Sequence, residues 1–517
     1  MRIFDRFAAT VRANPRHAAL VSEGVTVTYA DLLDESERLA RALSRRLPRG
    51  ARLAIDMSKG IRPIVAMLAC LRAGIPYVPL DAASPLVRRA ELLRGCKVTA
   101  LMGDARAARQ WNHGGGAPGV QLAMLGEPGV SVDGWTDLEA LLGASSEAPL
   151  PPVSSSDVAF VLHTSGSTGT PKGVVITHGN VEAFVTWAVQ RFRLAGRRIA
   201  CHAPLHFDLP VFDVFAGLVA GGTVYPIPER TCMFPQALRE FLEAARIQVL
   251  YAVPSALLGL LRRGGLASVG MPELELLLFA GEEFHAEPLA ELMRFLPHAR
   301  CFNLYGPVEA NVVCAHEVSR ERAYQRIPIG RAVSGARLVL VDDQLGLVEA
   351  EGELGELLIE GPSLSPGYWN DTESTARSRI RLTVDGLSRS FYRTGDFAYR
   401  DAHGELVFSG RRDHMVKTRG CRVELGDVES NLVRHPDVAE AVVVPLPHHE
   451  YTNLLHAFVV PRSDAELDAA RLGAWCRGRM PHYMVPATFE VVNQLPRTST
   501  GKVSRHDLLV GRDECRA

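Results

Sequence analysis

The sequence has no run of about twenty apolar residues of the kind an α-helical membrane span needs, and Met1-Arg-Ile-Phe-Asp-Arg6 lacks the apolar core of a signal peptide. Neither sign of charge is in excess. Among 517 residues, 57 Lys plus Arg stand against 58 Asp plus Glu, so no global field exists to recruit nucleic acid or an anionic membrane. Paired cysteines are missing too: the nine, at 70, 96, 201, 232, 301, 314, 421, 476 and 515, show none of the short spacings of a zinc site or a disulfide framework. These absences leave a soluble, cytoplasmic protein with reduced cysteines, no membrane and no nucleic acid, whose partners are small molecules or another protein. Its 47% hydrophobic composition is ordinary for a globular chain, and the length suggests about three domain-sized units.

The most informative segment present is Thr164-Ser-Gly-Ser-Thr-Gly-Thr-Pro-Lys-Gly173. Val158-Ala-Phe-Val-Leu162 before it and Val174-Val-Ile176 after it read as buried strands. The glycines let backbone N–H groups approach an anion, the hydroxyls add donors and Lys172 adds charge, so the loop reads as a phosphate cradle. It is not a P-loop. Lys172 follows Pro171 and precedes Gly173, where that motif needs Gly-Lys-Ser/Thr and a helix. Composition alone reads equally well as a Ser/Gly-rich surface loop.

Elsewhere helix- and strand-like segments alternate. Residues 63–74 read as a helix stopped by Gly74 and 77–80 as a strand; 236–246, 249–253, 288–296 and 299–304 repeat the pattern. Such repetition predicts parallel sheets with helices on their faces. From 335 to 361 close-spaced strands with Gly turns predict a small antiparallel or barrel-like unit. Residues 145–156 and 111–119 read as loops. A boundary falls near Gly410-Arg-Arg-Asp413, leaving about a hundred residues for a compact α+β domain. The predicted architecture is α/β: a large N-terminal core over 1–412, holding the parallel βα sheets and the barrel-like unit, hinged to a small C-terminal domain over 413–517.

Further motifs follow in order: Leu71-Arg-Ala-Gly-Ile-Pro-Tyr-Val-Pro-Leu-Asp81, Asn303-Leu-Tyr-Gly-Pro-Val-Glu309, Gly352-Glu-Leu-Gly-Glu356, Tyr392-Arg-Thr-Gly-Asp396, Gly410 to Gly426 and Pro496-Arg-Thr-Ser-Thr-Gly-Lys502. Together with the 164–173 loop they resemble the adenylate-forming enzymes. More narrowly, they resemble the amino-acid-activating adenylation domains of nonribosomal peptide synthesis, along almost the whole chain.

The resemblance implies ATP and Mg2+ as cofactors and two half-reactions. A carboxylate attacks the α-phosphate of ATP and pyrophosphate leaves, then a thiol takes the acyl group from the adenylate. Charge builds at the phosphates, so fixed donors and cations supply much of the catalysis. By this resemblance Thr164, Ser165, Gly166, Ser167, Thr168, Gly169 and Lys172 hold the departing phosphates, and Glu309 helps hold Mg2+, a hard cation suited to oxygen ligands. Tyr305 stacks on adenine, Asn303 addresses its polar edge, Gly281 and Gly306 line the nucleotide site, Asp396 accepts from the ribose hydroxyls and Arg411 adds a contact there. Lys502 is the catalytic lysine, bridging carboxylate and phosphate oxygens, and Asp413 is the hinge. Taken singly, Tyr305 reads equally as core packing, Asp396 as a turn residue and Glu309 as a first-turn helix carboxylate. A Thr-Gly-Lys near a C-terminus reads by itself as a solvated tail. One position departs from the pattern: Val308 stands where the family commonly has Thr.

His206-Phe-Asp-Leu-Pro-Val-Phe-Asp213 aligns with the segment that sets an aspartate against the substrate ammonium, which implies that role for Asp208, since a buried cation without a counter-charge is costly. Asp208 before Leu-Pro also reads as a helix N-cap. The same alignment lines the pocket with Leu209, Phe212, Ser255, Leu278, Ala280, Leu304, Val312 and Val313, nearly all apolar. Charged side chains are disfavoured there. A small neutral amino acid is expected, proline or alanine first, then serine or valine. The thiol is expected on the phosphopantetheine of a separate carrier protein, with coenzyme A as the other candidate, and the chain is expected to act alone. Two neighbouring readings share the ATP chemistry: an acyl- or aryl-CoA ligase, which does not need Asp208, and a D-alanine carrier-protein ligase.

Overall fold

The apolar periodicities become two compact units in the computed structural model, which describes residues 2–517 apart from 128, 144–149, 165–170, 267–269, 412–414, 419, 449–451, 463–466, 498–502, 504, 506–507 and 510–517. One unit comprises 1–82, 92–163 and 173–412; the other comprises 413–517 with 83–91 and 164–172.

Three sheets organise the larger unit. A nine-stranded sheet runs Arg198–Cys201, Val249–Ala252, Leu276–Phe279 and Arg300–Tyr305 in parallel. Val249–Ala252 and Leu276–Phe279 are buried at every position, which is why they read as unbroken apolar runs rather than alternating ones. A seven-stranded sheet ends on the strands Val158–Thr164 and Lys172–Thr177 that flank the glycine-rich loop. The helices Ile61–Ala73, Pro235–Ala244 and Ala286–Arg294 occur where the spacing predicts them, the first closed by Gly74 in the left-handed region. The third sheet is antiparallel: Arg337–Val341, Gly355–Glu360, Arg379–Val384, Leu387–Arg400 and Leu406–Arg411. Its first two strands fall within 335–361, where close-spaced antiparallel strands are predicted, and the other three extend the sheet to Arg411.

One loop expectation is corrected. Trp111 belongs to the helix Ala105–His113, whose Ala105, Ala107, Ala108 and Trp111 form its buried face and whose N-cap Asp104 accepts from the Ala107 amide. The Trp111 indole donates to the buried Asp56 Oδ2 at 2.8 Å. Only the segment after His113 leaves the helix.

The smaller unit pairs the long antiparallel strands Val438–His448 and Thr452–Pro461, with Thr488–Val491 added in parallel. The helices Leu425–Val433 and Ala469–Arg477 pack Val428, Leu432, Leu472 and Cys476 into one core with Val443 and Ala457. No helix among the described residues is long and apolar enough to cross a membrane.

Candidate nucleotide and amino-acid site

The carboxyl ends of parallel strands are where ligands bind in open α/β sheets, and most of the predicted site residues of the larger unit sit at or just beyond such ends. Strand register decides which face each one takes. Tyr251 pairs with Leu278 and Leu278 with Phe302; with the two-residue alternation of a strand, Ala280 and Leu304 fall on that same face. The packing agrees: Tyr251, Leu278, Ala280, Phe302, Leu304, Phe212 and Val312 share one apolar cluster, against which Leu209 and Val308 also pack. Asn303 and Tyr305 point to the opposite face. One strand, Arg300–Tyr305, thus divides the expected amino-acid side from the expected nucleotide side.

Asp208 lies in the turn before a six-residue π-helix, Val211–Ala216, whose N-cap is Pro210. Asp208 is therefore not the helix N-cap that its Leu-Pro context suggests. It is partly buried, whereas Asp213 is wholly buried and neither Asp213 oxygen has a hydrogen-bond partner among the described residues. Burial pushes the Asp213 carboxyl well above the usual carboxylate range, against the opposing field of Lys59. Of the two carboxyls, Asp208 is the one that is partly exposed and lines a cavity. Asn311, at φ 53°, accepts from the Val312 amide at 2.8 Å and donates to the Asp208 carbonyl at 3.4 Å. Asn tolerates this left-handed conformation better than other non-glycine residues. Asp208, Val308, Asn311 and Ser363 line one cavity with Phe160 and Phe184.

On the other side Tyr305, Asp396 and Arg411 come together. Asp396 and Arg411 are cross-strand neighbours; the Tyr305 hydroxyl donates to Asp396 Oδ2 and the Arg411 guanidinium to Oδ1. Burial first, and then the Asp396 charge, push the Tyr305 phenol well above its ordinary value, so it remains the donor. Asp396 lies within the strand Leu387–Arg400 and not in a turn. Asn303 Nδ2 donates to the Pro328 carbonyl at 2.8 Å. Gly306 is required by space: a Cβ there would lie 1.4 Å from the Asn311 carbonyl oxygen. Gly281 follows Leu276–Phe279 at φ 93°.

Glu309 is 2% exposed and lies in a turn rather than a helix. Its Oε1 accepts from the Tyr368 hydroxyl at 2.7 Å. Among the described residues no three His, Cys, Asp or Glu side chains are grouped to hold a metal. A single buried carboxylate fits Mg2+ held mainly by phosphate oxygens and water, and does not fit an all-protein cage.

Thr164 is buried at the end of its strand and Lys172 begins the next; Ser165, Gly166, Ser167, Thr168 and Gly169, like Asp413 and Lys502, lie outside the described residues. Ser255 is on the first turn of Pro254–Arg263, its amide donating to Glu282 Oε2 at 2.8 Å. Val313 packs with Tyr305 and Cys314 in a cluster apart from the other pocket residues. The sequence reading missed Tyr251, whose ring meets Phe212 edge-on with centroids 5.6 Å apart and whose phenol is pushed well above its ordinary value first by burial and then by the field of Asp208. It also missed Tyr368 and Asn311.

Residues 7–369 match the family model described as AMP-binding enzyme, and 427–502 match that of the AMP-binding enzyme C-terminal domain. An L-proline (L-prolyl-carrier protein) ligase of Pseudomonas fluorescens is 35% identical over 511 residues, 98% of each chain. A D-alanine–D-alanyl carrier protein ligase of Bacillus cytotoxicus is 31% identical over 519 residues, covering 98% of this chain and 99% of that one. Among solved structures, the Vibrio cholerae adenylation domain AlmE in complex with glycyl-adenosine-5'-phosphate superposes with a TM-score of 0.85 at 26% identity, over 99% of this chain and 98% of that one.

Proposed function

The chain belongs to the AMP-binding enzymes, and from that premise we propose that it activates L-proline with ATP and passes the prolyl group to the phosphopantetheine thiol of a separate carrier protein. It is an AMP-forming amino-acid ligase. One observation carries the choice of acid: Leu209, Phe212, Tyr251, Leu278, Ala280, Leu304 and Val312 pack together and Tyr251 lies within the field of Asp208, which supports a pocket of one carboxylate and a mainly apolar wall. Proline has one ammonium and a compact apolar ring. Two relatives, from Pseudomonas fluorescens and Streptomyces coelicolor, are L-proline ligases, which supports the same reading. D-alanine, the substrate named for the Bacillus relatives, is the second reading.

In the first half-reaction a carboxylate oxygen of the amino acid attacks the α-phosphorus and the bond to the β-phosphate breaks, releasing pyrophosphate. Asp208 holds the ammonium, and the apolar wall fixes the ring so that the carboxylate reaches the phosphorus in line. Asn311 steadies Asp208 through its backbone. Asp396 and Arg411 seat the ribose, Tyr305 the adenine, and Lys502 neutralises charge between carboxylate and phosphate. Residues 164–172 grip the leaving pyrophosphate. Mg2+, when bound, neutralises phosphate charge, and Glu309 is the residue that would hold it. In the second half-reaction the thiol sulfur attacks the acyl carbon and AMP leaves.

Pyrophosphate exchange across the twenty amino acids plus D-alanine tests the assignment. L-Proline should give the highest kcat/KM. A higher value for D-alanine transfers the assignment to the second reading, and exchange supported only by acids without an amino group removes both.

A further inference from the structure

Tyr368 lies 59 positions beyond Glu309, outside every motif that marked the site, yet its hydroxyl donates to Glu309 Oε1 at 2.7 Å. We infer that Tyr368 is a positioning residue that fixes the Glu309 carboxylate for metal binding and ties it to the strand leaving the glycine-rich loop; the inference rests on the reading of Glu309 as the metal-holding residue.

The phenol is held from several sides. The Tyr368 amide donates to Thr375 Oγ1 at 2.9 Å, and Gly367 lies so close that a Cβ there would be 2.4 Å from Thr375 Cγ2. The same segment is stitched to Lys172–Thr177: Val175 N donates to Gly367 O at 3.0 Å, Trp369 N to Gly173 O at 2.7 Å, and Ser365 Oγ to Val175 O at 2.7 Å. Ser365 N then donates to the Glu309 carbonyl at 2.7 Å. Backbone and side chain of Glu309 are therefore both anchored to residues 365–368. That stretch is bonded to the strand that begins at Lys172. A carboxylate with one oxygen committed to a fixed phenol cannot rotate freely, so the plane it presents to a cation is set in advance. Hydrogen-bond partners of metal ligands act in this way, and losing one typically weakens metal binding 10- to 100-fold. Tyr392 backs the phenol, hydroxyl to hydroxyl, at 3.4 Å.

A purely structural tyrosine would change stability and leave the metal alone. The test is Mn2+ binding to the full chain with ATP and without amino acid, followed by electron paramagnetic resonance, on the wild type, Tyr368→Phe, Glu309→Gln and the double variant. Tyr368→Phe should weaken Mn2+ about tenfold or more, and the double variant should bind no more weakly than Glu309→Gln. Wild-type affinity in folded Tyr368→Phe, or additive losses in the double variant, overturns the inference. Unchanged affinity in Glu309→Gln overturns instead the reading of Glu309. Should Tyr368→Phe fail to fold, Tyr392→Phe replaces it: a smaller weakening is expected, and wild-type affinity there overturns the inference.

Discussion

The Tyr305 hydroxyl donates to Asp396 Oδ2, so the residue expected to face adenine and the residue expected to face ribose are bonded to each other. Arg411 takes the other Asp396 oxygen, and both charged side chains are at least nine-tenths buried. Asp396→Ala takes away the acceptor of both hydrogen bonds, each worth roughly 1.5–3 kcal/mol when one partner is charged, so it should cost roughly 3–5 kcal/mol of stability and raise the KM for ATP. Tyr305→Phe removes one hydrogen bond and should cost only roughly 0.5–1.5 kcal/mol. Calorimetric melting of the two variants checks the difference; equal losses would show that Arg411 does not depend on Asp396.

Acid should destabilise the larger unit through His178. This residue opens the helix His178–Phe192 directly after the N-cap Thr177, is 3% exposed, and has a buried Nε2 without a hydrogen-bond partner among the described residues. Burial lowers its pKa to about 4, against the field of Asp157. The unfolded chain takes up the proton near 6.5, so the folded state has its full stability above that pH and loses it as the pH falls toward 4. The loss amounts to roughly 3 kcal/mol for a shift of this size. His178→Gln should flatten the dependence between pH 6.5 and 4. A slope identical to the wild type assigns the acid sensitivity to other groups.

Tyr251 shows why part of the site was not legible. Val249-Leu-Tyr-Ala252 reads only as a buried strand, and an aromatic within such a run cannot be told from core without the register that sets it beside Leu278 and against Phe212. Ser255, four residues on, has a polar side chain that stands out in sequence, yet its place on the helix start is decided by Pro254. The parallel strands were legible because full burial leaves continuous apolar runs, and the order of motifs identified the chemistry. Trp111 was hidden by the glycines after it, although Asp104 and the alanines already mark a capped helix. Tyr368 and Asn311 act through contacts whose partners are distant in sequence, and no local pattern announces those.

Removing the Tyr251 ring should open the pocket. Tyr251→Ala is expected to lower kcat/KM for L-proline at least tenfold while raising exchange with larger amino acids such as L-phenylalanine relative to it. A single methylene is worth only about 1–3 kcal/mol of discrimination in an apolar pocket, so loss of a whole ring should dominate selectivity. Preserved preference for proline would move Tyr251 out of the substrate wall.

Val308 completes the set, because it lines a cavity together with a buried serine. Val308 lines the same cavity as Asp208, Asn311 and Ser363, and Ser363 Oγ is buried with no hydrogen-bond partner among the described residues. Threonine keeps the β-branched shape of valine, so Val308→Thr adds an oxygen without adding volume that the cavity must absorb. A hydrogen bond between that oxygen and Ser363 Oγ would be worth roughly 0.5–1.5 kcal/mol. Two outcomes follow: the melting temperature should rise slightly, and kcat/KM for adenylation should change by less than about tenfold, the factor that 1.4 kcal/mol corresponds to. The Asp208 charge, the apolar wall and Glu309 are untouched by the change, so none of the main interactions with substrate is altered. A thousandfold gain in pyrophosphate exchange would contradict this, because it would mean that the missing hydroxyl acts directly on the reacting phosphate.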